Sequence, residues 1–291
     1  MGVLSRVFVI ISAIFEVSCC SRGKFVRYNG YVLSGGGSLL NSKHRITACA
    51  IKCFQLANCL SFNYHRQNQE CQLNADSPYT TPLAVQEASE WAIYHLQRDG
   101  DWELVFRAQA YNNLSPYDAW MGTLPLPTPV EDGCRFITAA FTCTTIYRSR
   151  VLDMWDSEGI TKVQLEMYKD GNRVVRIRLD GAGSTKDSWL AKDRLITSSW
   201  STMDRSRTFN YFSLRGHLSR TFYLNQEFHN TCPNDLGWMM VQDLNVPRHV
   251  CDYDNDHPGF PAFLYTPGED IIAWEHQNFG RADVLAVYIR R

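Results

Sequence analysis

The chain has 291 residues, a length that fits one or two domains. Hydrophobic residues make up 45% and charged residues 20%, which excludes a disordered polypeptide. The formal net charge of −1 excludes a protein whose main work is holding nucleic acid, since that needs a strong basic excess.

Residues 1–20 read as a secretory signal peptide. Arg6 supplies the positive start, Val7 to Phe15 the apolar stretch, and Ser18, Cys19, Cys20 and Ser21 the small residues around a cleavage site. The apolar stretch is too short to span a bilayer, and no later run is long and apolar enough to do so; no membrane span is expected. Cleavage after Cys20 leaves eight cysteines, an even number that suits an oxidising compartment and four bridges. The expected location is extracellular.

Phe25, Val26 and Tyr28 suggest a strand, Asn29-Gly30 a turn, and Gly35-Gly36-Gly37 a plain loop without the Lys-Ser/Thr of a phosphate loop. A helix is expected from Thr47, as N-cap, to about Asn58. Its i, i+4 spacing puts Cys49 and Cys53 on one face, from which both can reach a sheet. Cys59 follows the helix and Cys71 lies in a later strand-like run. Four cysteines allow three pairings, and spacing alone does not choose. Trp91 to Tyr94 closes this region, and Gln97 to Asp101 marks a boundary.

Cys49, Cys53, Cys59, the run Ser61-Phe62-Asn63-Tyr64 and the run Cys71-Gln72-Leu73-Asn74 together resemble a PAN/apple module. The likeness covers residues 22–98. It implies a small α+β fold and the nested pairing Cys49–Cys71 and Cys53–Cys59. No cysteine falls between Asn74 and Trp102, so the outer bridge of the apple subtype is absent and the shorter PAN form fits better. The family also implies contacts with proteins or carbohydrates.

Residues 101–291 change character. Runs at 102–106, 135–141, 163–168, 173–179, 211–214, 220–223, 237–241, 262–265, 271–274 and 282–289 are strand-like and separated by turn residues, the pattern of an antiparallel β-sandwich. A helix is expected only at 147–159. The chain as a whole is therefore mainly β. One hairpin can be read residue by residue. A three-residue loop at Asp170-Gly171-Asn172 sets Met167 against Val175, Leu165 against Ile177 and Val163 against Leu179, and pairs Glu166 with Arg176 on the other face. Arg173, Arg176 and Arg178 have the look of a heparin strip; the alternation reads them as a solvated face with a cross-strand ion pair. Cys134 with Cys143, and Cys232 with Cys251, bracket single strands whose ends they could bridge, and the pairing in this domain is left open. Asn113-Leu114-Ser115 is the glycosylation sequon.

No Gly-x-Ser-x-Gly elbow, His-Glu-x-x-His or Walker-type loop occurs, so no catalytic residue is assigned and the chain is not expected to be an enzyme. Asp252, Asp254 and Asp256 alternate in a run that offers hard oxygen ligands, and calcium is the one cofactor considered. The run resembles the calcium loop of fibrinogen-like domains, but Cys251 precedes it rather than following it. The competing reading is a solvated acidic loop. The many tryptophans are expected in the core. Tyr117-Asp118-Ala119-Trp120, Lys192 to Leu195, Phe209 to Phe212, Cys232 to Trp238 and Pro261 to Tyr265 resemble the domain that follows a PAN module in secreted proteins of marine invertebrates. Three functions compete: a secreted non-enzymatic protein that binds an extracellular protein or carbohydrate, a calcium-dependent lectin, and a hydrolase with a convergent site.

Overall fold

The computed structural model describes residues 14–17, 21–35, 38–127, 130–217, 220–227, 232–243, 251–254, 257–276 and 278–291. Most of the expected signal peptide, Gly36, Gly37 and Asp256 lie outside them. The chain divides into two compact units, Met1–Trp102 and Glu103–Arg291. Across both, the described residues form three antiparallel sheets, so the fold is mainly β.

The first unit is one sheet and one helix. Its strands are β1 (Ile14–Val17), β2 (Ser21–Leu33), β3 (Ser38–Lys43), β4 (Ser61–His65), β5 (Glu70–Asn74) and β6 (Val85–Arg98), in the order β1-β2-β6-β4-β5-β3. Helix α1 (Ile46–Gln55) lays Cys49, Ala50 and Cys53 on that sheet, as i, i+4 spacing requires. Beneath it, Phe62 stacks on Tyr94 at 4.8 Å and meets Phe25 edge-on at 5.3 Å. The bridges are Cys49–Cys71 and Cys53–Cys59. Arg45, not Thr47, caps the helix, with no side-chain hydrogen bond, and the chain leaves the helix at Leu56 to bring Cys59 back to Cys53. Asn63 is fully buried. Its amide accepts from Leu33 N–H and donates to Leu33 C=O, both at 2.9 Å, tying β4 to the end of β2 as a strand pair would.

Asn29-Gly30 is not a hairpin turn. β2 runs straight through it, and Gly30 takes φ +77°. Asn29 pairs with Ala92 and Tyr31 with Glu87, so both strands bulge there and Ala88 to Trp91 are left over.

The second unit is two sheets over one core. The first holds β7 (Glu103–Gln109), β8 (Tyr147–Arg148), β9 (Lys162–Lys169), β10 (Asn172–Asp180), β11 (Leu195–Ser198) and β18 (Val284–Arg290), ordered β11-β10-β9-β18-β7-β8. The second holds β12 (Tyr211–Arg215), β13 (Arg220–Glu227), β14 (Leu236–Gln242), β15 (Ala262–Tyr265) and β17 (Gly280–Ala282) in that order, with β16 (Ile272–Ala273) beside β14. Leu165, Ile177 and Val287 from one sheet share a cluster with Phe222, Trp238 and Phe263 from the other, which makes a sandwich. Trp120, Trp155, Trp189, Trp200, Trp238 and Trp274 are buried. The run at 282–289 is two strands in different sheets. Asp283 is the corner: its carboxylate accepts from Lys169 Nζ and Asp170 N–H, both at 2.7 Å.

The hairpin β9–β10 has the expected pairs Met167–Val175, Leu165–Ile177, Val163–Leu179 and Glu166–Arg176. Its loop is different. Asp170 and Gly171 both take positive φ, giving a two-residue turn that pairs Lys169 with Asn172, and a bulge before Val175 restores the register. The bulge also turns Arg173 to the face of Glu166 and Tyr168.

Three other expectations need correction. Residues 135–141 are not a strand. A 3-10 turn at Asp132–Arg135 leads into a loop closed by Cys134–Cys143, which buries Phe136 and Ile137. The helix at 147–159 is instead β8 and two 3-10 turns, Arg150–Asp153 and Trp155–Ser157. A helix does occur at Pro116–Met121 (α2), where Ser115 caps the start, Pro116 fills the first position and Gly122 ends it with φ +82°.

Loop-closure entropy predicts the weight of the first unit's bridges. Replacing Cys53 and Cys59 together by Ser should destabilise that unit by about 2 kcal/mol, and replacing Cys49 and Cys71 by about 3 kcal/mol. Urea titrations of the oxidised protein measure both; equal or absent losses would refute the ranking.

Candidate binding surface

Three polar constellations stand out, two buried and one open. The first centres on Arg220 of β13, 2% exposed. Its Nη1 donates to Asp235 at 2.9 Å, and its Nη2 to Asp254 and to the Tyr253 hydroxyl, each at 2.9 Å. Tyr253 in turn donates to Asp235, and Gln242 donates to Asp254 at 2.7 Å. Burial pushes the Asp235 carboxyl up and opposes the charge on Arg220, yet Tyr223 and Asp254 hold the guanidinium above its ordinary pKa. Cys232 and Cys251 are bridged and stand just before the two segments that carry Asp235 and Asp254.

This cluster places the acidic run. Asp254 is turned inward, 1% exposed, with both carboxylate oxygens engaged, while Asp252 is exposed. The solvated-loop reading therefore fails for Asp254. Among the described residues, no group of three His, Cys, Asp or Glu side chains is arranged to hold a metal ion.

The second constellation is Asp243, buried at the end of β14. It accepts from Ser115 Oγ at 2.9 Å and from Tyr117 N–H at 3.3 Å, and its other oxygen has no partner among the described residues. Burial pushes its pKa up to about 7. Ser115 is the hydroxyl residue of the sequon and is itself buried, whereas Asn113 is exposed with φ 60°.

The open constellation lies on the first unit, where β2 and β6 bulge apart. Asn29, Gly30, Tyr31, Glu87, Ala88 and Ser89 line an open groove of about 320 Å³. The β4–β5 turn leans on its rim: Arg66 donates to Asn29 Oδ1 at 2.6 Å and its N–H to Glu90 C=O at 3.3 Å. Beside it, His65 meets Trp91 edge-on at 4.9 Å. Tyr31, His65 and Trp91 are half-buried, and Asn29, Arg66 and Glu87 are exposed. Half-buried rings beside exposed donors and acceptors suit sugar hydroxyls or a peptide main chain. Only the Asn29-Gly30 signal was visible in the sequence, and it read as a turn.

Residues 19–97 match the family model of the PAN domain, so the first unit is a PAN domain. No curated protein matches the chain. The likeness of the second unit to secreted invertebrate proteins thus gains no named relative.

Two measurements follow from the buried groups. Arg220→Met strands two carboxylates and should cost roughly 3–5 kcal/mol, much of it recovered when Asp235→Asn and Asp254→Asn are added. An unchanged melting temperature for the single variant would show that the cluster contributes nothing. Asp243 binds its proton more tightly folded than unfolded. Its contribution is therefore complete at pH values below about 4 and is lost as pH rises to about 7, by roughly 2–4 kcal/mol. Asp243→Asn should flatten that part of the stability–pH curve; a parallel curve would refute the assignment.

Proposed function

We propose that this is an extracellular, non-enzymatic binding protein whose PAN unit docks a protein or carbohydrate through the groove between β2 and β6. The observation that carries the reading is the PAN domain at residues 19–97 with that open, polar and aromatic-rimmed groove on its sheet. A PAN domain is a binding module, and the specificity of such a module lies in its surface. Four bridges within 291 residues fit an oxidising compartment. The buried ionisable groups of the second unit serve its packing: Asp235 and Asp254 are bound by Arg220, and Asp243 is only 4% exposed.

The test is an array of glycans and extracellular ectodomains, screened with the secreted protein. Ligands should be retained by wild type and lost, by about tenfold or more in affinity, by Arg66→Ala and Trp91→Ala, because truncating anchors in a small interface removes about 1–2 kcal/mol each. Binding that survives both substitutions would place the site elsewhere.

A further inference from the structure

We propose that the β10 arginine row on the second unit is a docking surface for a sulfated polysaccharide. This goes beyond the PAN-groove reading and sits on a different unit. It rests on how the hairpin is built. Without the bulge before Val175, period-2 alternation would turn Arg173 toward the core. With it, Arg173 pairs with Tyr168, Arg176 with Glu166 and Arg178 with Gln164, so all three guanidiniums share the sheet face away from the core. Arg176 and Arg178 are two residues apart, roughly 7 Å along the strand.

Among the described residues, Glu166 is the carboxylate registered against this row. Its oxygens accept from Tyr168, from Gln164 at 3.1 Å and from Arg173 at 3.3 Å, and burial raises its pKa. Arg178 donates to Gln164 at 2.7 Å. The hydrogen bonds of Arg176 are main-chain ones to Ser199, and among the described residues its guanidinium has no ion-pair partner. Burial first, then the neighbouring Arg173 and Arg178, lower its pKa. Asp180 ends the row and is faced by Lys162 on β9. Three guanidiniums therefore stand on a partly exposed strand, and Arg173 is 46% exposed at its side chain.

Planar guanidiniums in a row along one strand suit a linear ligand with repeated tetrahedral oxyanions, each of which takes a forked pair of N–H bonds. The chain as a whole has a net charge of −1, so the attraction is confined to this strip rather than spread as a nucleic-acid or membrane footprint would be. Four disulfide bridges are the chemistry of the compartment where sulfated polysaccharides are met.

The experiment uses the full secreted chain and a heparin decasaccharide, with desulfated heparin, a 24-base-pair DNA duplex and phosphatidylserine vesicles alongside. Heparin should bind with an affinity that falls steeply with salt, and desulfated heparin should not. Arg176→Gln combined with Arg178→Gln should weaken heparin binding by about tenfold or more and lower the salt slope by about 1 for each lost contact. Arg176→Gln alone removes no side-chain hydrogen bond among the described residues and keeps the test valid if the double variant is unstable. Arg150→Gln, an exposed charge elsewhere on the unit, should leave binding unchanged. Arg66→Ala in the PAN groove should also leave heparin binding unchanged, so failure of one site is distinguishable from failure of the other. Wild-type affinity in the double variant, or capture of DNA or vesicles as tightly as heparin, would overturn the proposal.

Discussion

A guanidinium taken out of water has to be met by acceptors, and in the second unit two arginines turn that requirement into architecture. Arg107 of β7 is fully buried. It donates to the carbonyls of Phe136 and Thr138, both inside the loop closed by Cys134–Cys143. Burial lowers its pKa to about 10, which still leaves it charged at neutral pH. Arg220 does the same work with carboxylates, gathering Asp235 and Asp254 from either side of the Cys232–Cys251 bridge. Each bridge limits the freedom of a loop, and each arginine fixes where that loop lies. Neither device is sufficient alone: a closed loop without the arginine has no reason to sit on the sheet, and the arginine without the loop is a buried charge without partners.

On the sheet face away from the core, Glu166, Tyr168 and Tyr288 are buried at the centre, while Arg173, Arg176 and Arg178 remain reachable on β10. The uniformly solvated face suggested by alternation is thus half right. Gln164 and Glu166 are buried polar groups satisfied by one another and by Tyr168 and the arginines, and the ion partner of Glu166 is Arg173 rather than Arg176. Perturbed pKa values commonly point to active sites. Here, at Asp235, Glu166, Arg107 and Arg220, they fall on buried polar groups that the surrounding side chains and carbonyls engage.

What the sequence discloses follows from how local each signal is. Alternation over eight residues placed Leu165 against Ile177 because a slip by one residue would have exposed the whole apolar set. The same alternation cannot distinguish a three-residue loop from a two-residue turn with a bulge, since both restore the same register. The 135–141 run looked like a strand because Phe136 and Ile137 are apolar and need burial; the loop buries them without a ladder. Helix α2 carried its signals openly, Ser115 before Pro116 and Gly122 after Met121, but six residues are too few for periodicity to register. The Arg220 cluster was out of reach, since its partners stand 15 and 34 positions away and nothing in spacing links them.

The two accessible surfaces share an economy of scale that bears on how such a chain would work. A groove of about 320 Å³ lies at the lower end of ligand pockets, and a row of three arginines offers only a few charge-assisted contacts. Either proposed surface alone would support a modest, rapidly exchanging contact. Carried on one polypeptide, two such contacts to a shared ligand would raise each other's effective concentration, and the combined hold would exceed either by orders of magnitude without any new interface. The rigidity supplied by the bridges matters for that reason. A groove opened by a bulge and a strand re-phased by another are backbone features, and they hold their shape only where the surrounding sheet over-determines them.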